Sequence, residues 1–275
     1  MPEGHTIHRL AQDIGERFAG RPVRASSPQG KFADSAALLD GTVLEATDAH
    51  GKHLFLGFGP LGWVHIHLGL IGTVAFEGPA SDTVRLRLAG AGPGGPTMDL
   101  RGPAACALVT DGEKQAIGAR LGPDPLRPDA DPDLAWARIS RSRVSVAALL
   151  MDQKLLAGVG NVYRAEVLFR HGVDPFLPGR ALSRELWRAM WADLVALMRQ
   201  GVRNNRIDTV RPEHEPAAMG RPPRVDDHGG EVYVYRRAGL PCLLCGTEVR
   251  TQVLAARNLF WCPTCQPPQE ASVRP

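Results

Sequence analysis

Four cysteines near the end of the chain have the type and spacing of metal ligands. Cys242 and Cys245 form one CxxC pair, and after 16 further residues Cys262 and Cys265 form a second. Two such pairs at this separation are typical of a β-hairpin that binds one Zn²⁺ through four thiolates. Four sulfurs leave no open coordination position, which disfavours a catalytic or redox metal. We therefore predict one structural zinc ion that stabilises a segment too short for a core of its own.

Arg257 is predicted in the turn of this zinc hairpin, five residues before Cys262. Its neighbours Val253, Leu254 and Phe260 are apolar, so we expect its charge to be held away from the hairpin. The spacing alone leaves two interpretations open. Arg257 is either a cation that contacts an anionic ligand or a solvated surface arginine.

A glycine turn further upstream combines a lysine with a predicted helix start. Gly158 and Gly160 stand just before Asn161, and Lys154 precedes them. Glycines let a backbone approach a ligand closely, and the first N–H groups of a following helix favour an anion. Asn161 is predicted at the N-cap of that helix, and a purely capping role is the alternative interpretation. Together with the zinc hairpin, the turn favours phosphate binding.

The elements that must position these residues change in character along the chain. The N-terminal segment carries apolar residues at helical spacing, and residues 22–110 show short apolar alternation interrupted by glycines, which is typical of a β-sandwich or barrel. Residues 121–133 are rich in proline and acids and predict a linker. Beyond them the pattern is helical, with Ser183 as the N-cap of the last helix. The sequence thus predicts an α+β multidomain fold.

Composition excludes few function classes. The chain has 275 residues, of which 44% are hydrophobic and 22% charged, as in ordinary globular proteins. It has neither an apolar run of membrane-helix length nor a signal peptide, so we expect a cytoplasmic protein without membrane contact. A net charge of +3 permits an anionic partner such as nucleic acid but does not require one.

Three stretches together resemble one enzyme family. The segments MPEG, QKLLAGVGNVYRAEVLF and ARNLFWCPTCQ are similar in order and spacing to the formamidopyrimidine-DNA glycosylase/endonuclease VIII family, and the first is closer to the endonuclease VIII branch and its actinobacterial relatives. The resemblance implies an N-terminal β-sandwich with a leading helix, a helix-two-turn-helix domain and a four-cysteine zinc-finger β-hairpin. The implied ranges are 1–120 for the catalytic sandwich, 121–130 for a linker, 131–230 for the DNA-binding helical domain with a mobile loop over 203–230, 231–268 for the zinc finger and 269–275 for a tail.

The same resemblance implies a bifunctional DNA glycosylase/AP lyase of base excision repair. Its nucleophile would be Pro2 after removal of Met1, because an internal proline nitrogen is an amide whereas a terminal one is a secondary amine. Attack on C1′ of the damaged nucleotide expels the base and forms a Schiff base, and β,δ-elimination then cuts the strand. Glu3 matches the family's general acid/base and Lys52 its catalytic lysine. The individual alternatives are a surface carboxylate and a hairpin lysine.

The implied partner is double-stranded DNA with damaged bases or abasic sites, bound by a monomer that is associated with the nucleoid. Contacts to phosphates position DNA, and a flipped nucleotide leaves a gap that a wedge must fill. Leu70 matches the family's wedge, with Ile71 beside it, and Arg101 matches the arginine that faces the orphaned base. A role in the sandwich core is the alternative for Leu70 and Ile71. The phosphate-binding group comprises His67, Asn161 and Arg257, and Lys154 is included with it as a DNA-binding residue.

Some positions depart from the family's pattern. Thr6 stands where many relatives have a second glutamate, and Pro103 and Ala104 replace an aromatic wedge. The 203–230 loop does not resemble the loop that covers 8-oxoguanine, so we expect oxidised pyrimidines to be preferred and the opposite base to be read loosely. An alternative of another class is a non-catalytic zinc-ribbon protein that binds damaged or bent DNA. Such a protein would have no use for Pro2, Glu3 and Lys52 together.

Overall fold

The protein consists of two compact units, Met1–Arg120 and Leu121–Pro275. The computed structural model describes residues 2–79, 81–225 and 230–268. Within these ranges both helices and strands occur, which confirms the α+β prediction. No helix of the described chain is long and apolar enough to cross a membrane.

The first unit begins with helix α1, Gly4–Phe18, whose buried residues include Ile7, Ala11 and Ile14 at helical spacing. Two short helices follow later, α2 at Ala33–Leu39 and α3 at Asp111–Gly118. The strands are β1 Arg21–Ser26, β2 Val43–Leu44, β3 Ala46–His50, β4 His53–Gly57, β5 Trp63–His67, β6 Thr73–Phe76, β7 Val84–Gly90, β8 Thr97–Arg101 and β9 Ala105–Val109.

These strands form two antiparallel sheets, in the orders β2-β1-β7-β8-β6 and β3-β4-β5-β9. Leu54 and Leu56 of β4 and Leu86 and Leu88 of β7 are fully buried in one hydrophobic cluster. Helix α1 packs against β3 and β4. The first unit is therefore a β-sandwich with a leading helix, as predicted.

The second unit is helical and ends in a hairpin. Its elements are α4 Pro132–Ile139, α5 Val146–Leu149, α6 Asn161–Arg170, α7 Arg184–Asn204, α8 Pro216–Met219, β10 Arg250–Leu254 and β11 Arg257–Trp261. Ser183 accepts a hydrogen bond from the N–H of Leu186 at the start of α7, which confirms the predicted cap. Trp187, Met190 and Leu194 of α7 are fully buried in the core of this unit.

Two predicted connecting segments have defined contacts. In the expected linker 121–130, the N–H of Gly122 donates to the carbonyl of Gln153 at 2.9 Å, and Asp124 is buried. The expected loop 203–230 begins too early, because α7 continues to Asn204. Further along it, Thr209 is fully buried, and a 3₁₀ turn and α8 follow. Residues 226–229 of that loop and the tail 269–275 lie outside the described residues.

Helices α2 and α3, and the single turn α8, were not predicted from the sequence. For α3 a local signal exists, because Thr110 and Glu113 form a capping box with reciprocal side-chain bonds at 3.3 Å and 2.8 Å. For α2 there is no side-chain cap, and the helix has only 7 residues. Its apolar face becomes recognisable only where Ala36 and Leu39 pack into the sandwich core.

Candidate active site and nucleic-acid interface

The N-terminal residues are held in place by the start of α1. Glu3 is the N-cap residue, and its carbonyl accepts hydrogen bonds from the N–H groups of Thr6 at 3.0 Å and Ile7 at 3.4 Å. Glu3 is fully buried, and the half-buried Pro2 directly precedes it. A carboxylate at this end of a helix lies where the helix dipole favours negative charge. Hydrogen bonds at the start of α1 therefore hold Glu3 in a defined position in the first unit, and Pro2 directly precedes it.

Lys52 and His67 are joined by a hydrogen bond. Lys52 lies in the turn between β3 and β4, where Gly51 has a φ of 59°, and its carbonyl is 3.0 Å from Nδ1 of His67 on β5. Because a carbonyl can only accept, Nδ1 of His67 carries the proton. The other ring nitrogen, Nε2, is then an acceptor in the neutral ring and a donor only in the protonated ring.

Two histidines that were not predicted from the sequence, His53 and His65, lie next to His67. Nδ1 of His53 is 2.8 Å from Nε2 of His65, and the His53 ring stacks on His65 at 5.1 Å and on His67 at 4.8 Å. Burial, reinforced by the nearby His67 and Arg120 charges, lowers the pKa of His53 to about 3 and the pKa of His65 to about 4. Both rings are therefore uncharged at neutral pH.

This uncharged pair predicts a loss of stability in acid. The histidines of the unfolded chain titrate near 6.5, so between pH 6.5 and about 4 the unfolded state binds more protons and is favoured as the pH falls. We expect the free energy of unfolding, measured by urea titration from pH 7.5 to 4.5, to decrease over this window. His53→Gln and His65→Gln should each reduce the slope of the unfolding free energy against pH. The reduction should correspond to the uptake of up to about one proton per histidine on unfolding. Slopes that match the unsubstituted protein would contradict the prediction.

The two wedge candidates are exposed at a turn that follows β5. Leu70 is 59% exposed and Ile71 is 81% exposed, so the alternative that they belong to the sandwich core is wrong. Thr73, which opens β6 just after this turn, pairs with Arg101 at the end of β8. The structure thus brings Leu70 and Ile71 into the neighbourhood of Arg101, within the first unit.

Arg101 is held by a buried carboxylate. Asp99 is 1% exposed and accepts hydrogen bonds from Nη2 of Arg101 at 2.9 Å and from Nη1 of Arg87, which is 2.9 Å from each carboxylate oxygen. Charge-assisted bonds of this kind fix the guanidinium plane. Asp99 was not predicted from the sequence, in which it resembles an ordinary strand residue two positions before Arg101.

In the second unit, the glycine turn is stabilised by a glutamine. Gly158 has a φ of 85°, and its N–H donates to Oε1 of Gln153 at 3.0 Å, while Nε2 of Gln153 donates to the carbonyl of Val159 at 2.8 Å. Lys154 is exposed beside this turn. Gln153, which was not predicted, therefore fixes the backbone that precedes α6.

The predicted N-cap position of Asn161 is wrong. Gly160 is the N-cap residue, and Asn161 is the first residue of α6, with its Nδ2 donating to the carbonyl of Asn258 at 2.9 Å. The buried Arg164 donates to the same carbonyl at 3.3 Å and to Oδ1 of Asn161. The Asn161 side chain therefore donates to the hairpin and accepts from Arg164 instead of accepting from an N–H of its own helix. Since Arg257 directly precedes Asn258, Asn161 and Arg257 lie close together.

Arg257 is the first residue of β11 rather than a turn residue. The turn itself consists of Ala255 and Ala256, whose φ values of 51° and 58° are rarely adopted by residues other than glycine. Opposite it, Leu254 pairs with Arg257 in the register of the two strands. Arg257 is thus half-exposed at the end of the hairpin.

The four hairpin cysteines have the geometry of a zinc site. Their sulfur atoms lie within 4.8 Å of one another, with Cys242 and Cys265 separated by 3.8 Å and Cys245 and Cys262 by 3.4 Å. Tetrahedral coordination at about 2.3 Å per Zn–S bond requires sulfurs about 3.8 Å apart. The donor set therefore fits one structural Zn²⁺, as predicted.

The zinc segment is hydrogen-bonded to the chain just beyond the C-terminal end of α6. Gln266, 1% exposed, donates from Nε2 to the carbonyl of Val173 at 2.9 Å and accepts from the N–H of Cys262 at 3.1 Å. Leu259 and Phe260 are buried in the same core as α6 and α7. The hairpin is therefore part of the second unit's core and not an independent appendage.

A second buried anchor on α6 was also missed from the sequence. Glu166 is fully buried, and its carboxylate accepts from the hydroxyl of Thr209 at 2.5 Å and from the N–H groups of Tyr233, Val234 and Tyr235 at 2.7, 2.9 and 2.8 Å. Four donors satisfy a buried carboxylate that would otherwise be costly. The available signal was an acidic residue among the apolar residues Val162, Ala165, Val167 and Leu168 of α6.

The predicted site residues divide between the two units. The first unit carries Pro2, Glu3, Lys52, His67, Leu70 and Arg101. The second unit carries Lys154, Asn161, Arg257 and the four cysteines.

Sequence profiles of one enzyme family match the chain in the same order as these structural parts. The formamidopyrimidine-DNA glycosylase N-terminal domain matches residues 1–104, and the formamidopyrimidine-DNA glycosylase H2TH domain matches residues 121–211. The zinc finger found in FPG and IleRS matches residues 239–268.

Individual proteins are similar over nearly the full chain. Endonuclease 8 1 of Mycobacterium tuberculosis is 52% identical over 276 residues, which covers 97% of this chain and 100% of that protein. MutM (Fpg) from Thermus thermophilus superposes with a TM-score of 0.74 at 27% identity, over 96% of this chain and 98% of its own. A complex of Lactococcus lactis Fpg with DNA that contains an abasic site has a TM-score of 0.75 over 97% and 100% of the two chains, but its 19% identity supports the fold alone.

The sandwich, the helical domain and the zinc hairpin together define a zinc-finger DNA glycosylase of base excision repair. The chain belongs to the formamidopyrimidine-DNA glycosylase/endonuclease VIII family, as its three motifs indicated.

Proposed function

We propose that this protein is a bifunctional DNA glycosylase/AP lyase that uses Pro2 as its nucleophile and Glu3 as its general acid/base. The observation that carries the proposal is the N-terminal arrangement, in which a half-buried Pro2 directly precedes a fully buried Glu3 at the N-cap of α1. Burial of a carboxylate is costly, so the full burial of Glu3 beside the proposed nucleophile supports a role in the chemistry. The proposal requires Met1 to be removed, because only a terminal proline nitrogen is a free amine.

The chemistry then proceeds through a covalent intermediate. The Pro2 nitrogen bonds to C1′ of the damaged nucleotide and gives up its N–H proton, while the bond from C1′ to the base breaks and the base leaves with the electron pair and one proton. Opening of the sugar ring, with a proton supplied to the ring oxygen by Glu3, yields an iminium. The iminium acidifies the C2′ hydrogens, so successive β- and δ-elimination expel the 3′ and then the 5′ phosphate.

The remaining site residues serve DNA binding in this proposal. Lys52 would interact with the phosphate of the damaged nucleotide. His67 would contact a flanking phosphate in its protonated form, donating from Nε2–H while Nδ1–H stays on the Lys52 carbonyl. Lys154, Asn161 and Arg257 would contact further phosphates from the second unit. The substrate would be double-stranded DNA that contains damaged bases or abasic sites.

Oxidised pyrimidines are the proposed preferred lesions. After a base is flipped out, exposed apolar side chains can fill the gap, and Leu70 and Ile71 are the candidates for this role. Pro103, at the position of an aromatic wedge in the other branch of the family, is buried and cannot insert. The departure at Thr6 from the second glutamate of many relatives is in line with a different lesion range.

A panel of duplexes tests this preference. The duplexes carry thymine glycol, dihydrouracil, 8-oxoguanine or an abasic site, and incision is scored together with the chemistry of the new ends. We expect cleavage of the two oxidised pyrimidines to exceed that of 8-oxoguanine by at least about tenfold, with a phosphate left at both ends by δ-elimination. Cleavage of the abasic duplex alone would retain the lyase proposal and reject the pyrimidine preference.

A further inference from the structure

The sandwich sheet that contains Lys52 and His67 has an aromatic row on one face. Strand register places His53 opposite His67 and Phe55 opposite His65 on β4 and β5. The rings stack in sequence, with Phe55 on His65 at 5.1 Å, His65 on His53 at 5.1 Å and His53 on His67 at 4.8 Å. The row therefore ends on the ring that bonds to the Lys52 carbonyl.

Hydrogen bonds also fix the orientation of the histidine rings in this aromatic row. The bond of 2.8 Å between His53 and His65 fixes both ring planes, because one nitrogen must donate and the other accept. The plane of His67 is inclined by only 25° to that of His53. A ring held in this plane keeps Nδ1 aimed at the Lys52 carbonyl and leaves Nε2 as the atom available to a ligand.

The charges around the row favour neutral rings at its centre. The groups that face His53 are His50 opposite it on β3, His65, His67 and Arg120, and Lys52 lies in the adjoining turn. A cation at His53 or His65 would repel both Lys52 and a protonated His67. An imidazole pair with lowered pKa values supplies a polar, hydrogen-bonding support without adding that charge.

We propose that His53 and His65 are positioning residues that orient His67 and the Lys52 turn for DNA phosphate binding. This inference depends on the proposed phosphate contact of His67. The pair touches no DNA itself and acts through the His67 ring. Its loss should weaken binding, because the phosphate contact is made by the protonated His67 ring, whose Nε2–H has a defined direction only while Nδ1–H stays on the Lys52 carbonyl.

The test combines a spectroscopic and a binding measurement on the full chain. Long-range ¹H–¹⁵N spectra of histidine-labelled, DNA-free protein should show the neutral ring of His67 as the Nδ1–H tautomer in the unsubstituted chain. In His53→Leu and in His65→Phe, this tautomer should give way to a mixture with Nε2–H. The Kd for a duplex that contains a tetrahydrofuran abasic-site analogue should rise about tenfold in both variants, the change expected when a charge-assisted hydrogen bond is weakened.

Trp63→Phe is the matched control. Trp63 lies two residues before His65 on β5, and its Nε1 donates to Asp111 of α3 at 2.7 Å. Its replacement therefore removes a hydrogen bond between this sheet and α3 and leaves all four rings of the aromatic row in place. We expect a lower unfolding temperature with an unchanged His67 tautomer and a Kd within about twofold. An effect on Kd as large as that of His53→Leu would overturn the proposal, since it would indicate general destabilisation of the sheet.

The remaining outcomes separate this inference from the proposed function. If the unsubstituted protein forms a borohydride-trapped complex while both histidine variants keep the tautomer and the Kd, the positioning role is wrong and the Pro2 chemistry stands. If the histidine variants behave as expected but no trapped complex forms, the phosphate contact stands and the Schiff-base chemistry is wrong.

Discussion

Blocking the nitrogen of Pro2 should reduce strand cleavage and borohydride trapping to background. An N-terminal extension converts this nitrogen into an amide with no nucleophilic electron pair, and Pro2→Gly replaces the secondary amine with a primary one on a more flexible residue. We expect the extension to lower cleavage of a thymine glycol duplex by about a thousandfold or more, because removal of a nucleophile costs several orders of magnitude in rate. We expect Pro2→Gly to abolish trapping as well, because its amine is no longer held by the pyrrolidine ring. The measurement is single-turnover cleavage, with trapped complexes resolved by denaturing electrophoresis.

DNA binding provides the internal control for this prediction. The proposed phosphate contacts lie elsewhere in the chain, so the Kd of both variants for a tetrahydrofuran duplex should stay within about threefold of the unsubstituted protein. The same extension placed at the C-terminus should leave trapping unchanged. Mass spectrometry that found Met1 retained in a fully active enzyme would contradict the mechanism. The absence of trapping by unmodified protein with a free Pro2, together with tight binding, would favour the non-catalytic DNA-binding alternative.

Removing the zinc ion should abolish specific DNA binding. The four thiolates hold a segment that contributes Leu259 and Phe260 to the second unit's core, and structural zinc supplies about 10–16 kcal/mol of binding free energy to such sites. Loss of the metal should release the Asn258 carbonyl from Asn161 and displace Arg257. We expect the Kd for a tetrahydrofuran duplex to rise at least about a hundredfold in Cys262→Ser or after chelation. Zinc content by mass spectrometry and far-ultraviolet circular dichroism should decrease in parallel.

Cys106→Ser is the matched control for the zinc prediction. Cys106 lies on β9 of the first unit and is not among the clustered cysteines. This variant should keep one zinc ion per chain and its full DNA affinity. Chelated protein that binds damaged DNA as tightly as the zinc form would show that the hairpin is dispensable for binding.

Local sequence determined the features whose chemistry depends on spacing alone. Two CxxC pairs bring four thiolates to one ion because each pair spans a single turn, and Ser183 caps α7 because its hydroxyl needs only an N–H three residues ahead. The alternation of β-strands predicted the sandwich for the same reason, since side chains of a strand alternate between its faces. The MPEG terminus and the two later motifs were sufficient to indicate the family.

Tertiary structure alone decided which residues support these groups. Asn161 bonds to a carbonyl 97 positions away instead of capping its own helix, and Glu166 collects N–H groups from residues more than 60 positions further on. His53, His65 and His67 align only because the register of β4 with β5 sets them side by side. Strand register and the packing of distant segments are collective outcomes of the whole chain, so no local pattern of residue types specifies them.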